Sequence, residues 1–311
     1  MQLLWWKEIS QNLQSKLQVQ KTQVFSDKPI YMAIVFLWDD YSSSVYVNHK
    51  KRYWEKIWIS TIVFGQSDFD NGDYSVFRNL DLFVNQEYND IYQVIELIQY
   101  LNYDPSCVGI IVQLPLPAKF QKFKSQILST ISPSKDVDGM WWVDVWLSSI
   151  DLIDFLPATP KAVLYLLDQS GLWKLESKTV SILWQSNLVG KPLALECIKR
   201  GATVFSFNEN SDINHIKLLT QKSDYIISCT WKVHLIDSSF IRDDQSQIII
   251  DVWYWHIDGK AVGDVNFDDI ANKVAYITPV PWWVWPLTVA CLFDNVFTLQ
   301  EHKEILKKYK L

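Results

Sequence analysis

The chain has 311 residues and a formal net charge of −6, with 29 Lys and Arg against 35 Asp and Glu. Its length suits two domains of ordinary size, and its acidity excludes an electrostatic grip on nucleic acid or on an anionic membrane surface, leaving a small-molecule partner as the expectation. Four widely spaced cysteines, with no C-x-x-C pair and no His cluster, predict buried thiols and neither a disulfide framework nor a metal site.

The N-terminal segment MQLLWWKEIS has too short an apolar run for a signal peptide, so a cytoplasmic location is expected. Residues 3–20 read as a helix with one polar face. Pro29 then opens an apolar strand over 30–37 that ends at Trp38-Asp39-Asp40, and Ser42 to Ser44 are expected to cap a basic helix over 45–56. A strand over 59–64, a helix over 89–103 and a buried strand over 108–113 follow, the last stopped by Leu114-Pro115-Leu116-Pro117. After Lys135-Asp136-Val137-Asp138-Gly139 the rhythm restarts. It gives a helix over 160–169, a strand over 179–183, a loop over 184–190, a helix over 192–200, and strands over 202–207, 224–229 and 247–252. Strands alternating with helices predict an α/β fold with parallel pairing. The second run has the size of a Rossmann-type dinucleotide-binding domain. Residues 275–293 are uncharged, but Pro279, Pro281 and Pro286 break them, so no membrane span is expected. The final helix, over 287–310, is expected to pack back on the first domain. The domains are then residues 1–140 with 287–311, and residues 141–286, with a seam near 139–156.

Three constellations carry chemistry. Tyr46 and Lys50 stand at i and i+4, which sets a ring and an ammonium on one helix face, an arrangement that a solvated helix also shows. Gln113 ends a buried strand at the carboxyl edge of its sheet, where open α/β sheets bind ligands, and its uncharged amide can hydrogen-bond a lysine without fixing it in an ion pair. Asp136 and Asp138 lie two apart, but no third ligand is spaced to complete a metal shell, so a carboxylate facing an amidine-like heterocycle fits better.

Taken with Pro157-Ala158-Thr159-Pro160, Ser186-Asn187-Leu188-Val189-Gly190-Lys191-Pro192, Gly263-Asp264-Val265 and Tyr276-Ile277-Thr278-Pro279-Val280-Pro281, these strings resemble the bifunctional methylenetetrahydrofolate dehydrogenase/methenyltetrahydrofolate cyclohydrolase family. The resemblance implies an N-terminal folate-binding catalytic domain, a Rossmann NAD(P)-binding domain and a homodimer. It makes Lys50 the catalytic lysine and Gln113 the residue that tunes it. Tyr46 would stack on the aminobenzoate ring, Asp138 would hold the pterin, and Pro281 would line the folate site. Trp184, Gln185, Ser186, Gly190, Glu209 and Tyr254 fall at dinucleotide positions. The substrate would be a tetrahydrofolate, the cofactor NADP, and no metal is implied. NAD stays open, because Glu209 could accept ribose hydroxyls and repel a 2′-phosphate, or it could point to solvent.

Composition adds one anomaly. Glycine normally supplies about 7% of residues, yet only 9 are present beside 16 tryptophans. The family pattern has glycine where this chain has Trp6, Trp38, Trp58, Trp146, Trp184, Trp231, Trp253, Trp282, Trp283 and Trp285. Two explanations compete: UGA codons that encode glycine in some bacterial lineages, translated as tryptophan, or a Trp-rich paralogue that binds folate or nucleotide without turnover. Retention of Tyr46, Lys50, Gln113 and Asp138 favours the first.

Overall fold

The computed structural model describes residues 2–4, 7–26, 28–38, 41–57, 59–66, 69, 71–84, 86–140, 142–257, 260–279 and 285–308. Among these, the side chains of residues 7, 41–43, 45, 46, 49, 142, 144, 254–256, 285, 304, 306 and 307 are not described. The chain forms two compact units, Gln14–Phe155 with Leu292–Leu311, and Met1–Leu13 with Leu156–Cys291.

In the first unit a parallel sheet runs in the order Ser60–Phe64, Tyr31–Val35, Cys107–Val112. The last two strands are buried along their whole length, as continuous apolar runs must be when both sheet faces are covered. The helix Ile91–Tyr103 lays Val94, Leu97, Ile98 and Leu101 into the core at helical spacing. Its start is fixed by a capping box, in which Asp90 accepts from the Tyr92 N–H at 2.8 Å and Gln93 accepts from the Asp90 N–H at 3.1 Å. Its end is fixed by Lys135, whose Nζ donates to the carbonyls of Leu101 and Asp104, both at 2.6 Å. The C-terminal helix Trp285–Lys308 contributes to this unit from Leu292 onward, with Phe293 4.8 Å from Trp54 and Phe297 5.8 Å from Phe25 between ring centres.

The second unit is built on a six-stranded parallel sheet in the order Gln2–Leu3, Tyr276–Ile277, Ile248–Asp251, Tyr225–Ser228, Thr179–Leu183, Thr203–Phe207. Leu3, expected to begin a helix, forms the edge strand of this sheet with Gln2, because the Gln2 N–H donates to Ala275 O at 2.7 Å and the Leu4 N–H to Ile277 O at 3.2 Å. The first helix accordingly starts at Lys7. Ser42 to Ser44, expected before a helix, lie inside the first turn of Tyr41–Glu55. The antiparallel pair Tyr254–Ile257 and Lys260–Gly263 and the helices Trp142–Ser149 and Ile213–Thr220 were absent from the sequence expectation. The units divide at Phe155/Leu156 and Cys291/Leu292, not at 140/141 and 286/287, and edge pairing draws the N-terminus into the second unit. All four cysteines are buried. Among the described residues, no helix is long and apolar enough to cross a membrane and no group of three or more His, Cys, Asp or Glu could hold a metal ion.

Candidate active site

In the first unit the sequence-predicted Lys50, Gln113 and Asp138 come together. Lys50 stands on the helix Tyr41–Glu55. Gln113 follows the strand Cys107–Val112 and extends its pairing by one bond, N–H to Val35 O at 2.9 Å. The Gln113 side-chain amide donates from Nε2 to Leu114 O at 2.8 Å, which turns its oxygen toward the helix, where Lys50 Nζ donates to Oε1 at 3.1 Å. The amide orientation is thus set by two contacts of opposite polarity.

Asp138 is delivered by a turn clamped to the same strand. Asp136 bridges to Ile110, Asn295 Nδ2 donates to Val137 O at 2.9 Å, and Gly139, at φ +68°, donates its N–H to Asp136 O at 3.2 Å. Gly109 permits this closeness: a Cβ there would lie 2.6 Å from Val137 Cγ1 and 2.8 Å from the Met32 side chain. Lys135 is spent on the helix terminus described above, and Asp138 interacts electrostatically with Lys50. Desolvation holds the Lys50 ammonium below its usual range, opposed by the negative charge of Asp138. The same desolvation raises the Asp138 carboxyl, opposed by Lys50. A lysine in this setting can exist as a neutral amine beside an uncharged hydrogen-bond acceptor. Tyr46 occupies the position one turn before Lys50, but its side chain, like the whole of Pro281, lies outside the described residues.

In the second unit the loop between the strand Thr179–Leu183 and the helix Gly190–Lys199 holds Trp184, Gln185 and Ser186. Ser186 Oγ accepts from the N–H groups of Val189 and Gly190 at 3.2 and 3.3 Å, and Gln185 Nε2 donates to Ser206 O at 2.9 Å. A Cβ at Gly190 would fall 1.9 Å from the Trp184 carbonyl oxygen, so the loop closes on the helix start with room for glycine alone. That tight backbone cradle at a helix N-terminus suits the phosphates of a dinucleotide. Trp184 is at odds with it. Its φ of +79° is a glycine-like conformation, and its indole stands at the loop with Lys232 Nζ 4.7 Å from the ring centre. Trp231 also has a positive φ, +58°, and its ring centre lies 4.0 Å from that of Trp253, the two planes tilted by 32°. Trp38 and Trp146 are exposed; Trp6, Trp58, Trp282 and Trp283 lie outside the described residues, as does the side chain of Trp285. Glu209 is exposed in the turn after Thr203–Phe207, where Asn208 Oδ1 accepts from the Asn210 N–H at 2.9 Å. Tyr254 begins the strand Tyr254–Ile257, its side chain not described.

The sequence reading missed a buried carboxylate pair. Asp264 accepts from Ser228 Oγ at 3.0 Å, the Thr230 N–H at 2.7 Å and the Lys232 N–H at 3.1 Å, while Asp251 accepts from the N–H groups of Asp264 and Val265 at 3.2 and 3.0 Å. Burial raises both carboxyls, Asp251 further because Asp264 lies beside it. The available signal was an aspartate closing the apolar run Ile248–Asp251.

Residues 157–304 match the family model of the tetrahydrofolate dehydrogenase/cyclohydrolase NAD(P)-binding domain, and residues 76–138 that of the catalytic domain. The bifunctional protein FolD of Lactobacillus helveticus is 33% identical over 291 residues, 94% of this chain and 93% of its own length. That of Campylobacter jejuni is 34% identical over 304 residues, 95% and 96% of the two chains. The crystal structure of the bifunctional enzyme FolD from Campylobacter jejuni superposes with a TM-score of 0.83 at 32% identity, covering 97% of this chain and 99% of its own. The Trypanosoma brucei methylenetetrahydrofolate dehydrogenase-cyclohydrolase, complexed with NADP cofactor and inhibitor, gives 0.79 at 25% identity, covering 96% of each chain. The chain belongs to the tetrahydrofolate dehydrogenase/cyclohydrolase family.

Proposed function

We propose that this protein oxidises 5,10-methylenetetrahydrofolate with NADP and then hydrolyses the resulting 5,10-methenyltetrahydrofolate to 10-formyltetrahydrofolate. The observation that carries the reading is the hydrogen bond from Lys50 to Gln113, with the ammonium held below its usual range and Asp138 as its charged neighbour. NADP, when bound, supplies the hydride acceptor. Removal of hydride from the methylene bridge leaves a cationic amidinium on the folate, which water must attack. Lys50, as a neutral amine, takes one proton from that water. The hydroxylated carbon then collapses to the formyl group on N10 as its bond to N5 breaks and N5 takes up the hydroxyl proton, while Gln113 orients the amine without the charge a carboxylate would add. Asp138 accepts from the pterin N3–H and 2-amino group in two parallel hydrogen bonds, and Tyr46 stacks on the aminobenzoate ring. Ser186, Gly190 and the start of the helix Gly190–Lys199 support the dinucleotide phosphates, with Gln185 and Tyr254 at their sides.

Glu209, exposed in the turn after Thr203–Phe207, keeps NAD as a second reading, because a carboxylate there favours ribose hydroxyls over a 2′-phosphate. Family membership supports a cytoplasmic homodimer that supplies one-carbon units to purine, histidine and methionine biosynthesis. The test follows methenyltetrahydrofolate absorbance in the purified protein, and reduction of NADP and of NAD by methylenetetrahydrofolate in the parent chain and in Trp184→Gly. Failure of both hydrolysis and reduction in both chains would overturn the reading. A Trp-rich paralogue without turnover predicts that failure.

A further inference from the structure

The loop that carries Lys232 leaves the carboxyl end of the strand Tyr225–Ser228, which neighbours Thr179–Leu183 on the side away from Thr203–Phe207. It flanks the phosphate loop directly: the Cys229 N–H donates to Leu183 O at 3.2 Å, and Cys229 Sγ lies 3.4 Å from Trp184 O. One carboxylate holds it in place, since Asp264 accepts from the backbone N–H groups of both Thr230 and Lys232 and from Ser228 Oγ. Asp264 is in turn anchored through its own N–H to Asp251 Oδ1 at 3.2 Å. A surface lysine has many conformers, but this one leaves a clamped backbone and sets its ammonium 4.7 Å from the ring centre of residue 184, over the loop. Lys191, in the first turn of the helix that follows the loop, is drawn aside to Asn187 Oδ1 at 2.7 Å.

We infer that Lys232 is a phosphate-binding residue of the dinucleotide site and pairs with the pyrophosphate that NADP and NAD share. The inference rests on the dinucleotide reading above and deepens it. Side of sheet decides which phosphate is met. The turn 208–211, which faces the adenosine ribose in a sheet of this order, follows Thr203–Phe207 on one flank of Thr179–Leu183, and Lys232 is on the other. Its charge therefore serves a group common to both dinucleotides and leaves the 2′-phosphate to other residues. The Asp264 carboxylate is turned to the Thr230 and Lys232 N–H groups and the Ser228 hydroxyl, and so holds the lysine by its backbone. In the chain as written, the indole of Trp184 takes the ammonium that the phosphate would take, as a cation–π contact.

The experiment titrates NADP and NAD calorimetrically into Trp184→Gly, and into the same chain carrying Lys232→Gln or Lys232→Arg. A lost charge-assisted contact should weaken both dinucleotides by the same factor, about tenfold or more, with Arg retaining most of the affinity. The loss should shrink at high salt, where an exposed ion pair is screened. Unchanged affinity in Lys232→Gln overturns the inference, and so does a loss confined to NADP, which would move the lysine to the 2′-phosphate. Absence of binding by Trp184→Gly itself overturns the dinucleotide reading, and this inference with it.

Discussion

Trp184→Gly separates the two meanings of the tryptophans. An L residue in the left-handed region carries a penalty of about 1–2 kcal/mol, which glycine at φ +79° would relieve. Glycine's greater freedom in the unfolded chain returns about 0.5–1 kcal/mol of that, and the cation–π contact with exposed Lys232 is worth roughly 0.5–1 kcal/mol. Stability should therefore change by no more than about 1 kcal/mol, a thermal shift of a few degrees. Binding should respond far more. The indole stands at a loop whose backbone closes on a helix start, and each charge-assisted hydrogen bond that it would deny a phosphate there is worth about 1.5–3 kcal/mol. Regaining even one raises NADP affinity by about tenfold to a hundredfold. Calorimetric titration of both proteins, with thermal unfolding alongside, reads the two quantities separately. Equal affinity in the two proteins would refute the steric argument. The coding DNA supplies an independent check, since UGA at position 184 makes glycine the natural residue and UGG leaves tryptophan in place.

Lys50→Met should abolish hydrolysis of methenyltetrahydrofolate while folate binding stays measurable; hydrolysis retained in that variant would remove Lys50 from its role. Because the neutral amine is the active form and burial lowers the Lys50 pKa, hydrolysis by the parent should rise with pH through that lowered value and then level off, so a rate that falls over the same span contradicts the assignment. Asp138→Asn should weaken folate binding by about tenfold or more, at about 1.5–3 kcal/mol per bond, and Asp138→Ala further, with dinucleotide affinity and response to a chelator unchanged. Gly109→Ala should destabilise by about 1–3 kcal/mol, because its Cβ would meet Val137 Cγ1 at 2.6 Å, and denaturant unfolding would show it. Asp251 and Asp264 have raised folded-state pKa values, so the stability they contribute is full below the ordinary carboxyl pKa of 3.8 and falls as pH rises through the raised values. Asp251→Asn should flatten that fall in a series of thermal midpoints, and an unaltered slope would count against the pair.

Gln113 was legible because two prolines stop an apolar run at a fixed residue, which places a polar side chain at the sheet's edge whatever the rest of the fold does. The helix Ile91–Tyr103 was legible through its Asp90 cap and its buried stripe. Where pairing partners lie far apart in the chain, the local pattern misleads. Residues 2 and 3 are helix-compatible in isolation and become a strand only because residues 275–277 offer carbonyls. The Asp251–Asp264 pair forms where the end of the strand Ile248–Asp251 meets residues 264 and 265, so the aspartate that closes the apolar run marks Asp251 but does not point to Asp264 as its partner. The Lys135 contacts at the helix end and the clearance that Gly109 gives Val137 are likewise invisible until distant segments meet.

The exchange of chain ends between the two units bears on how the protein can be made and handled. Neither unit is a continuous stretch: one takes its first 13 residues from before the other begins, and the other takes back residues 292–311. On a ribosome the leading unit cannot complete its packing around Trp54 until Phe293 has emerged, so its nascent form exposes apolar surface for most of synthesis and calls for chaperone protection. For expression work, an affinity tag joined directly to Gln2 would burden the edge of a sheet whose other strands begin beyond residue 178, and clipping the N-terminus would injure the nucleotide-binding half first.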